Sequence, residues 1–343
     1  MFIPFKADRV VKPEGDLSAK IAIIGDYSSA YDDKVLRPFQ GTAGTVLSQC
    51  LHLAQLIRGE VYLTNLFKSY KAARPTPEGA RPDLFSERTG KFTATGQEAV
   101  SALQEELKDF DGNVIVTCGA AASAAVCGIS KVSAKRGYVF PSLGLGRCVK
   151  VIPTFSPSQA VRGMYIYRHL ITCDLKKAKQ ESLFPELRRP DRKLIYNFAS
   201  LEEAVSWLDY FESQPNKPLS VDIEVINYEV SCINLSIDPS VACVIPIADR
   251  WTLEEEFVIW RRLDRLLGNP NTVKVLQNGI FDIQFMLARY GLLIAGEIRD
   301  TMIGHSCMYP ELQKGLGFLG SIYCGSQEYW KDLAKFTNIK ENS

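Results

Sequence analysis

The feature that most constrains this chain is an alternation. Between residues 20 and 180, short apolar runs that end in Gly, Asn or Asp alternate with segments of helical spacing. IAIIGD (21–26) leads through the Gly-containing RPFQGTAG (37–44) into TVLSQCLHLAQLI, whose apolar residues recur at helical intervals. VYLTN (61–65) is a second run, and VIVTCG (114–119), running straight into the Ala-rich AAASAAVCG, is a third. The fourth, CVKVIPTF (148–155), is followed by SPSQAV and the helical YIYRHLITCDLKKAKQ. Strands separated by helices predict a largely parallel sheet with helices on both faces. In such sheets the ligand lies beyond the carboxyl ends of the strands. Here those ends are Gly25–Asp26, Asn65, Gly119 and the Thr154–Ser158 turn.

A charged stretch with two prolines, ESLFPELRRPDRK (181–193), reads as a linker. A different order begins after it. LIYNF is a strand, and Ser200 with Glu203 has the spacing of a capping box, opening a helix through Trp207 and Phe211. LSVDIE (219–224), CINLSID (232–238) and ACVIPI (242–247) are consecutive strands, which predicts an antiparallel meander. A helix to about Leu267, the strand VKVLQN (273–278) and the helix of FDIQFMLARYG complete an RNase H-like order. The predicted domains are therefore 1–180, a linker at 181–193, and 194–343.

The chain has 343 residues, enough for two domains, and its 46% hydrophobic and 23% charged residues suit a folded, soluble protein. Its net charge of +1 neither suggests nor excludes a nucleic-acid partner, because a local basic lining is enough to bind one. No apolar run reaches the roughly 18 residues that span a bilayer, and the first residues lack the apolar core of a secretory signal. These features predict a cytoplasmic location, that of the host cell for a viral protein, and no membrane partner. The nine cysteines are scattered without a C-x-x-C pair, so buried reduced thiols are expected rather than a zinc or iron–sulfur site.

Two carboxylates stand out in the second half. Asp222 and Glu224 are two apart on one strand and so share a face. In the apolar SVDIEV a buried acid would be costly unless paired with a cation, and Mg²⁺ or Mn²⁺ is the natural partner of clustered carboxylates. Alone, Asp-x-Glu is short and common, and two solvated acids on a strand edge account for it better. Asn278-Gly-Ile-Phe-Asp282 adds a third acid, Asp282, at a strand-to-helix junction.

With that element the region resembles the DEDD 3′→5′ exonucleases. The runs QNGIFDIQFMLARYG (277–291) and IRDTMIGHSCMYPELQKGLGFLGSIYCG (298–325) resemble the proofreading domains of bacteriophage family A DNA polymerases. The resemblance implies that Asp222, Glu224 and Asp282 are catalytic metal ligands for Mg²⁺ or Mn²⁺, with Glu224 also orienting the attacking water. It implies that Asn278 and Phe281 position the terminal nucleotide of a single-stranded DNA 3′ end, or the motif itself. Asp300 and His305 read as structural groups at helix starts. The family's fourth acid, normally in Tyr-x-x-x-Asp, has no match, since Tyr329 and Asp332 are too close together. Either a second polypeptide carries the rest of the exonuclease and the polymerase, the chain being a truncated or split product, or the domain has lost activity.

The first half resembles the uracil-DNA glycosylase superfamily, and family 4 within it. GDYSSAYDD (25–33), RPFQGTAG (37–44), VYLTNLFKSYKAARPTP (61–77) and VIPTFSPSQAV (151–161) carry the likeness. It implies that Phe39 stacks on a flipped base, Asn65 reads its edge and Asp26 handles the water. Ser156 fills the place of the catalytic His, Ser28 that of a proline, and Ser69 that of a cluster cysteine, so no iron–sulfur cluster is expected. A non-catalytic DNA- or protein-binding module, a weakened glycosylase and a structural remnant all remain open. Lys68, Lys71, Arg74, Arg81, Arg88 and Lys91 follow the second strand as a solvated or phosphate-contacting loop.

Overall fold

The computed structural model describes residues 10–69, 84–189 and 191–325. They fall into two compact units: residues up to Arg189 together with those from Gly317 onward, and Pro190–Leu316.

The first unit runs β1 (Ile21–Tyr27), α1 (Ala30–Val35), α2 (Thr42–Leu53), β2 (Tyr62–Phe67), β3 (Phe85–Ser86), β4 (Lys91–Phe92), α3 (Ala94–Glu106), β5 (Val114–Cys118), α4 (Ala120–Cys127), α5 (Val132–Lys135), β6 (Phe140–Pro141), β7 (Lys150–Thr154), α6 (Pro157–Val161) and α7 (Tyr167–Glu181). Its main sheet has the order β2-β1-β5-β7-β6, parallel except for the antiparallel edge strand β6. Every residue of β2, β5 and β7 is buried. Burial on both faces is why these strands read as unbroken apolar runs. Helices α3 and α4 cover the face that carries Ala22, Ile24, Ile115 and Val151.

The second unit runs β8 (Lys193–Ile195), α8 (Leu201–Glu212), β9 (Leu219–Ile226), β10 (Glu229–Asp238), β11 (Val241–Pro246), α9 (Leu253–Gly268), β12 (Lys274–Leu276), α10 (Ile280–Tyr290), β13 (Ile298–Asp300) and α11 (Thr301–Met308). The six-stranded sheet has the order β13-β12-β9-β10-β11-β8. The meander β9-β10-β11 is antiparallel as expected, and β12 joins β9 in parallel. This is the mixed, RNase H-like order. It places β9 in the interior of the sheet, with α8 and α9 contributing Leu208, Phe211, Leu263 and Leu267 to the core beneath.

One boundary differs from the sequence reading. The last helix, α12 (Leu316–Tyr323), lies in the stretch assigned above to the exonuclease domain, yet from Gly317 it packs within the first unit. Tyr138 Oη donates to Gly317 O at 2.6 Å, and an Arg136 Nη donates to Ser321 Oγ at 3.0 Å. Lys177 Nζ donates to Gly137 O, Ser321 O and Cys324 O at 2.6–2.8 Å. Arg136 also pairs with Asp174, whose Oδ2 accepts from Thr154 Oγ1 at 2.6 Å. Buried charges are tolerable only when each finds such partners, so the returning helix satisfies groups that the first 189 residues bury. Among the described residues no helix is long and apolar enough to cross a membrane.

Candidate functional site

In the first unit Asp26, Phe39, Asn65 and Ser156 all line one cavity of about 1100 Å³. It opens where β1, β2, β5 and β7 end. Asn65 is buried, and its Nδ2 donates to Ser28 Oγ at 3.2 Å. Its Oδ1 lies over Gly25, where a Cβ would approach to 2.3 Å. The Phe39 ring crowds the same glycine, with Cζ 2.7 Å from that position. Phe39 itself has φ of +53°, in the left-handed region that an aromatic residue rarely adopts.

Asp26 faces the first turn of α4. Ala122 N–H donates to its Oδ1 at 2.8 Å, and Gly119, with φ of +116°, leaves it room, since a Cβ there would stand 2.0 Å from Oδ2. Burial pushes the Asp26 carboxyl up to about 7, and the Glu87 charge adds to this, against the N–H groups of Ala122, Ala121 and Ala120 that favour the ion. Ser156 opens α6; its N–H donates to Gln159 Oε1 at 3.2 Å, and its hydroxyl pairs with Ser158 Oγ at 2.9 Å. Among the described residues lining the cavity there is no histidine. Lys68 Nζ pairs with Glu106 and donates to Thr64, while Lys71, Arg74 and Arg81 lie outside the described residues.

In the second unit β9 alternates. Leu219, Val221 and Ile223 are buried, whereas Ser220, Asp222 and Glu224 are exposed. The premise of two buried acids is therefore corrected: they face solvent from the open side of an interior strand. Asn234, paired with Asp222 across β10, donates from Nδ2 to Asp222 Oδ2 at 3.1 Å. Asp282, buried in the first turn of α10, accepts the Ile223 N–H on Oδ1 at 3.0 Å. Desolvation first, and then the charges of Asp222 and Asp282, hold the Glu224 carboxyl above its usual range. Burial raises Asp282 as well, with Asp222 adding to it. Carboxylates of this kind are a donor set suited to a hard divalent cation. They do not converge on one point, however. Among the described residues no group of three or more His, Cys, Asp or Glu side chains is arranged to hold a metal ion together. Tyr329 and Asp332 lie outside the described residues.

The motif Asn278–Asp282 is held from below. Asn278 has φ of +60°, and Phe281 is half-exposed with its ring 5.7 Å from that of Phe285. Asp300 Oδ2 accepts Gly279 N–H at 2.7 Å, while Oδ1 accepts Met302 N–H at 2.8 Å and Ile303 N–H at 3.1 Å at the start of α11. Burial works against the Asp300 ion, but these amides and that of Asn278 hold the carboxyl below its usual range.

Comparison with known proteins agrees with this division. Residues 12–178 match the uracil DNA glycosylase superfamily. The type-4 uracil-DNA glycosylase of Thermotoga maritima is 32% identical over 173 residues, covering 50% of this chain and 81% of that protein. The chain belongs to the uracil DNA glycosylase superfamily. The type-4 enzyme of Archaeoglobus fulgidus is 27% identical over 186 residues, covering 50% of this chain and 85% of that protein. Residues 197–338 match a 3′-5′ exonuclease family. Among solved structures, the EXD2 exonuclease domain soaked in Mg and dGMP is similar at 18% identity and a TM-score of 0.28, covering 38% of this chain and 68% of that one. Likeness at that level carries nothing about substrate.

Within this glycosylase-superfamily chain, Asp32 lines the cavity without having been singled out in the sequence. Asp32 is buried, and its two carboxylate oxygens accept Ser29 N–H at 2.8 Å and Gln40 N–H at 2.7 Å, the latter beside Phe39. Such carboxylates work through backbone amides of loops, which no residue pattern advertises.

Proposed function

We propose that the chain is a replication protein, the front part of a phage-type family A DNA polymerase. Its second unit is a metal-dependent 3′→5′ exonuclease that proofreads single-stranded DNA 3′ ends. Its first unit binds DNA in a degenerate glycosylase pocket. One observation carries the nuclease reading: Asp222 and Glu224 stand on the open face of an interior strand, and Asp282 is bonded to the residue between them. In this reading Asp222, Glu224 and Asp282 hold Mg²⁺ or Mn²⁺. Such an ion, when bound, supplies an acidified water and charge stabilisation at the phosphodiester. Glu224, exposed and with a raised carboxyl pKa, orients the water and takes its proton. The half-exposed Phe281 ring offers a stacking face to the terminal base, and the exposed Asn278 amide offers hydrogen bonds to its sugar or phosphate. The carboxylate that completes a two-metal site comes from outside the described residues, in a later segment or a second polypeptide. The polymerase setting is supported by the likeness of residues 277–291 and 298–325 to phage proofreading domains.

For the first unit, a departing uracil carries negative charge, and Ser156 supplies no cation to it. Losing such a donor costs about 2.7–4 kcal/mol and falls on the chemical step more than on binding. The pocket of Phe39 and Asn65 then remains a binding site with little excision.

A second reading, a binding or assembly protein that cuts nothing, is favoured by Ser156 and by the lack, among the described residues, of three or more acids arranged to hold a metal together. The test is release of nucleotides from a 5′-labelled single strand in Mn²⁺. Slow digestion that disappears in Asp222→Ala supports the nuclease. No digestion by either protein supports the assembly reading.

A further inference from the structure

Phe39 is held from both sides. After it, Gln40 N–H is taken by Asp32. Before it, Pro38 O accepts from an Arg58 Nη at 2.9 Å and from Gln40 Nε2 at 3.1 Å. Arg58 is in turn gripped by Glu14 through two bonds, at 3.1 Å and 3.0 Å. Glu14 also pairs with Arg37 at 3.1 Å and accepts from Gln40 Nε2 at 3.3 Å. Its carboxylate therefore reaches Arg37, Gln40 and, through Arg58, Pro38, all neighbours of Phe39.

The backbone of Glu14 is fastened elsewhere. It bridges Leu63 on β2, with Glu14 N–H donating to Leu63 O at 2.9 Å and Leu63 N–H donating back at 2.7 Å. Gly15 permits this approach, since its φ is +95° and a Cβ would lie 2.4 Å from Val61 O. Leu63 is two residues before Asn65 on the same strand. One residue thus ties the strand of the edge-reading amide to the loop of the stacking ring. A backbone conformation as rare as that of Phe39 persists only where its surroundings over-determine it, and strain of this kind collects at ligand clamps.

We propose that Glu14, acting through Arg58, is a positioning residue that fixes the Phe39 ring relative to Asn65, so that the cavity takes a flat, unpaired nucleobase in a slot formed before binding. This rests on the reading of the cavity as an inherited base pocket.

The test uses the full chain without divalent metal and two short single-stranded oligonucleotides. One carries 2-aminopurine at a single position and the other an abasic analogue there. The wild type is expected to prefer the base-bearing strand and to quench its fluorescence. Glu14→Ala and Arg58→Met are expected to lose about tenfold of that preference, toward the low end for one base–aromatic stack, while binding the abasic strand as before. Phe39→Leu should lose the same preference, and adding Glu14→Ala to it should take away nothing more. If Glu14→Ala does not fold, as its melting curve would show, Glu14→Gln, which keeps an acceptor but no charge, should give a smaller loss of the same kind. A wild type that does not distinguish the two strands overturns the pocket reading and this inference with it. A wild type that does, beside variants that keep the preference, lose both strands equally or add to Phe39→Leu, overturns this inference alone.

Discussion

Asp282 Oδ1 accepts the main-chain N–H of Ile223 at 3.0 Å, which sets a helix-borne carboxylate against the residue between Asp222 and Glu224. The bond serves stability and charge placement in opposite senses, and substitution separates them. Asp282→Ala leaves a buried N–H without its acceptor, at a cost of about 1–3 kcal/mol. Asp282→Asn keeps an acceptor and removes the charge that raises Glu224. In metal-free unfolding experiments the alanine variant should melt lower than wild type, and the asparagine variant at or above it. The reverse order would show that the Ile223 bond does not matter.

Asp300 should prove costly to remove although it lies outside the acid cluster. It accepts from Gly279 and caps α11, and so keeps the left-handed turn at Asn278 in place. Asp300→Ala is expected to destabilise the protein by about 2 kcal/mol, read by urea unfolding. A loss under about 0.5 kcal/mol, the size of an ordinary surface substitution, would contradict the role.

Asp26 gives stability a pH dependence. Its carboxyl titrates near 3.8 when unfolded and at about 7 when folded. Between these values the folded state keeps a proton that the unfolded state has released, so this group makes stability fall as pH rises. Asp26→Asn removes the effect while keeping an acceptor for Ala122. The advantage of the variant should be small near pH 4, grow to pH 7 and then level off. It is at most about 4 kcal/mol, and less where water in the cavity reaches the carboxyl. An advantage that does not change with pH would contradict the burial of this carboxyl.

Much of the fold could be read from the chain because each unit obeys one period. Unbroken apolar runs marked the parallel strands of the first unit, and alternation placed Asp222 and Glu224 on one face. Whether that face was covered could not be read, because it depends on which side of the sheet α8 and α9 take, and they pack against Leu219, Val221 and Ile223. The fate of α12 was hidden for a similar reason. Ser321 meets Arg136 and Lys177 across 185 and 144 residues, contacts that no local pattern announces. The pocket residues Asp26, Phe39, Asn65 and Ser156 were found by resemblance, and they share a cavity. Glu14 was not found, since its work is a backbone bridge and a carboxylate pointed at other loops.

Restoring the missing imidazole tests the first unit. Ser156→His should give the chain measurable uracil excision on a uracil-containing oligonucleotide, revealed by alkaline cleavage of abasic sites. Asn65→Ala should then abolish it. Wild type that excises as fast as an ordinary glycosylase would remove the argument from charge.

Calorimetric titration of Mn²⁺ into the wild-type chain and into Asp222→Ala and Glu224→Gln addresses the acid cluster itself. The three carboxylates should bind the ion and lose at least tenfold in affinity when either exposed acid is neutralised, as for a divalent cation held by few charged ligands. Superimposable isotherms for all three proteins would contradict the assignment of Asp222, Glu224 and Asp282 as a metal site.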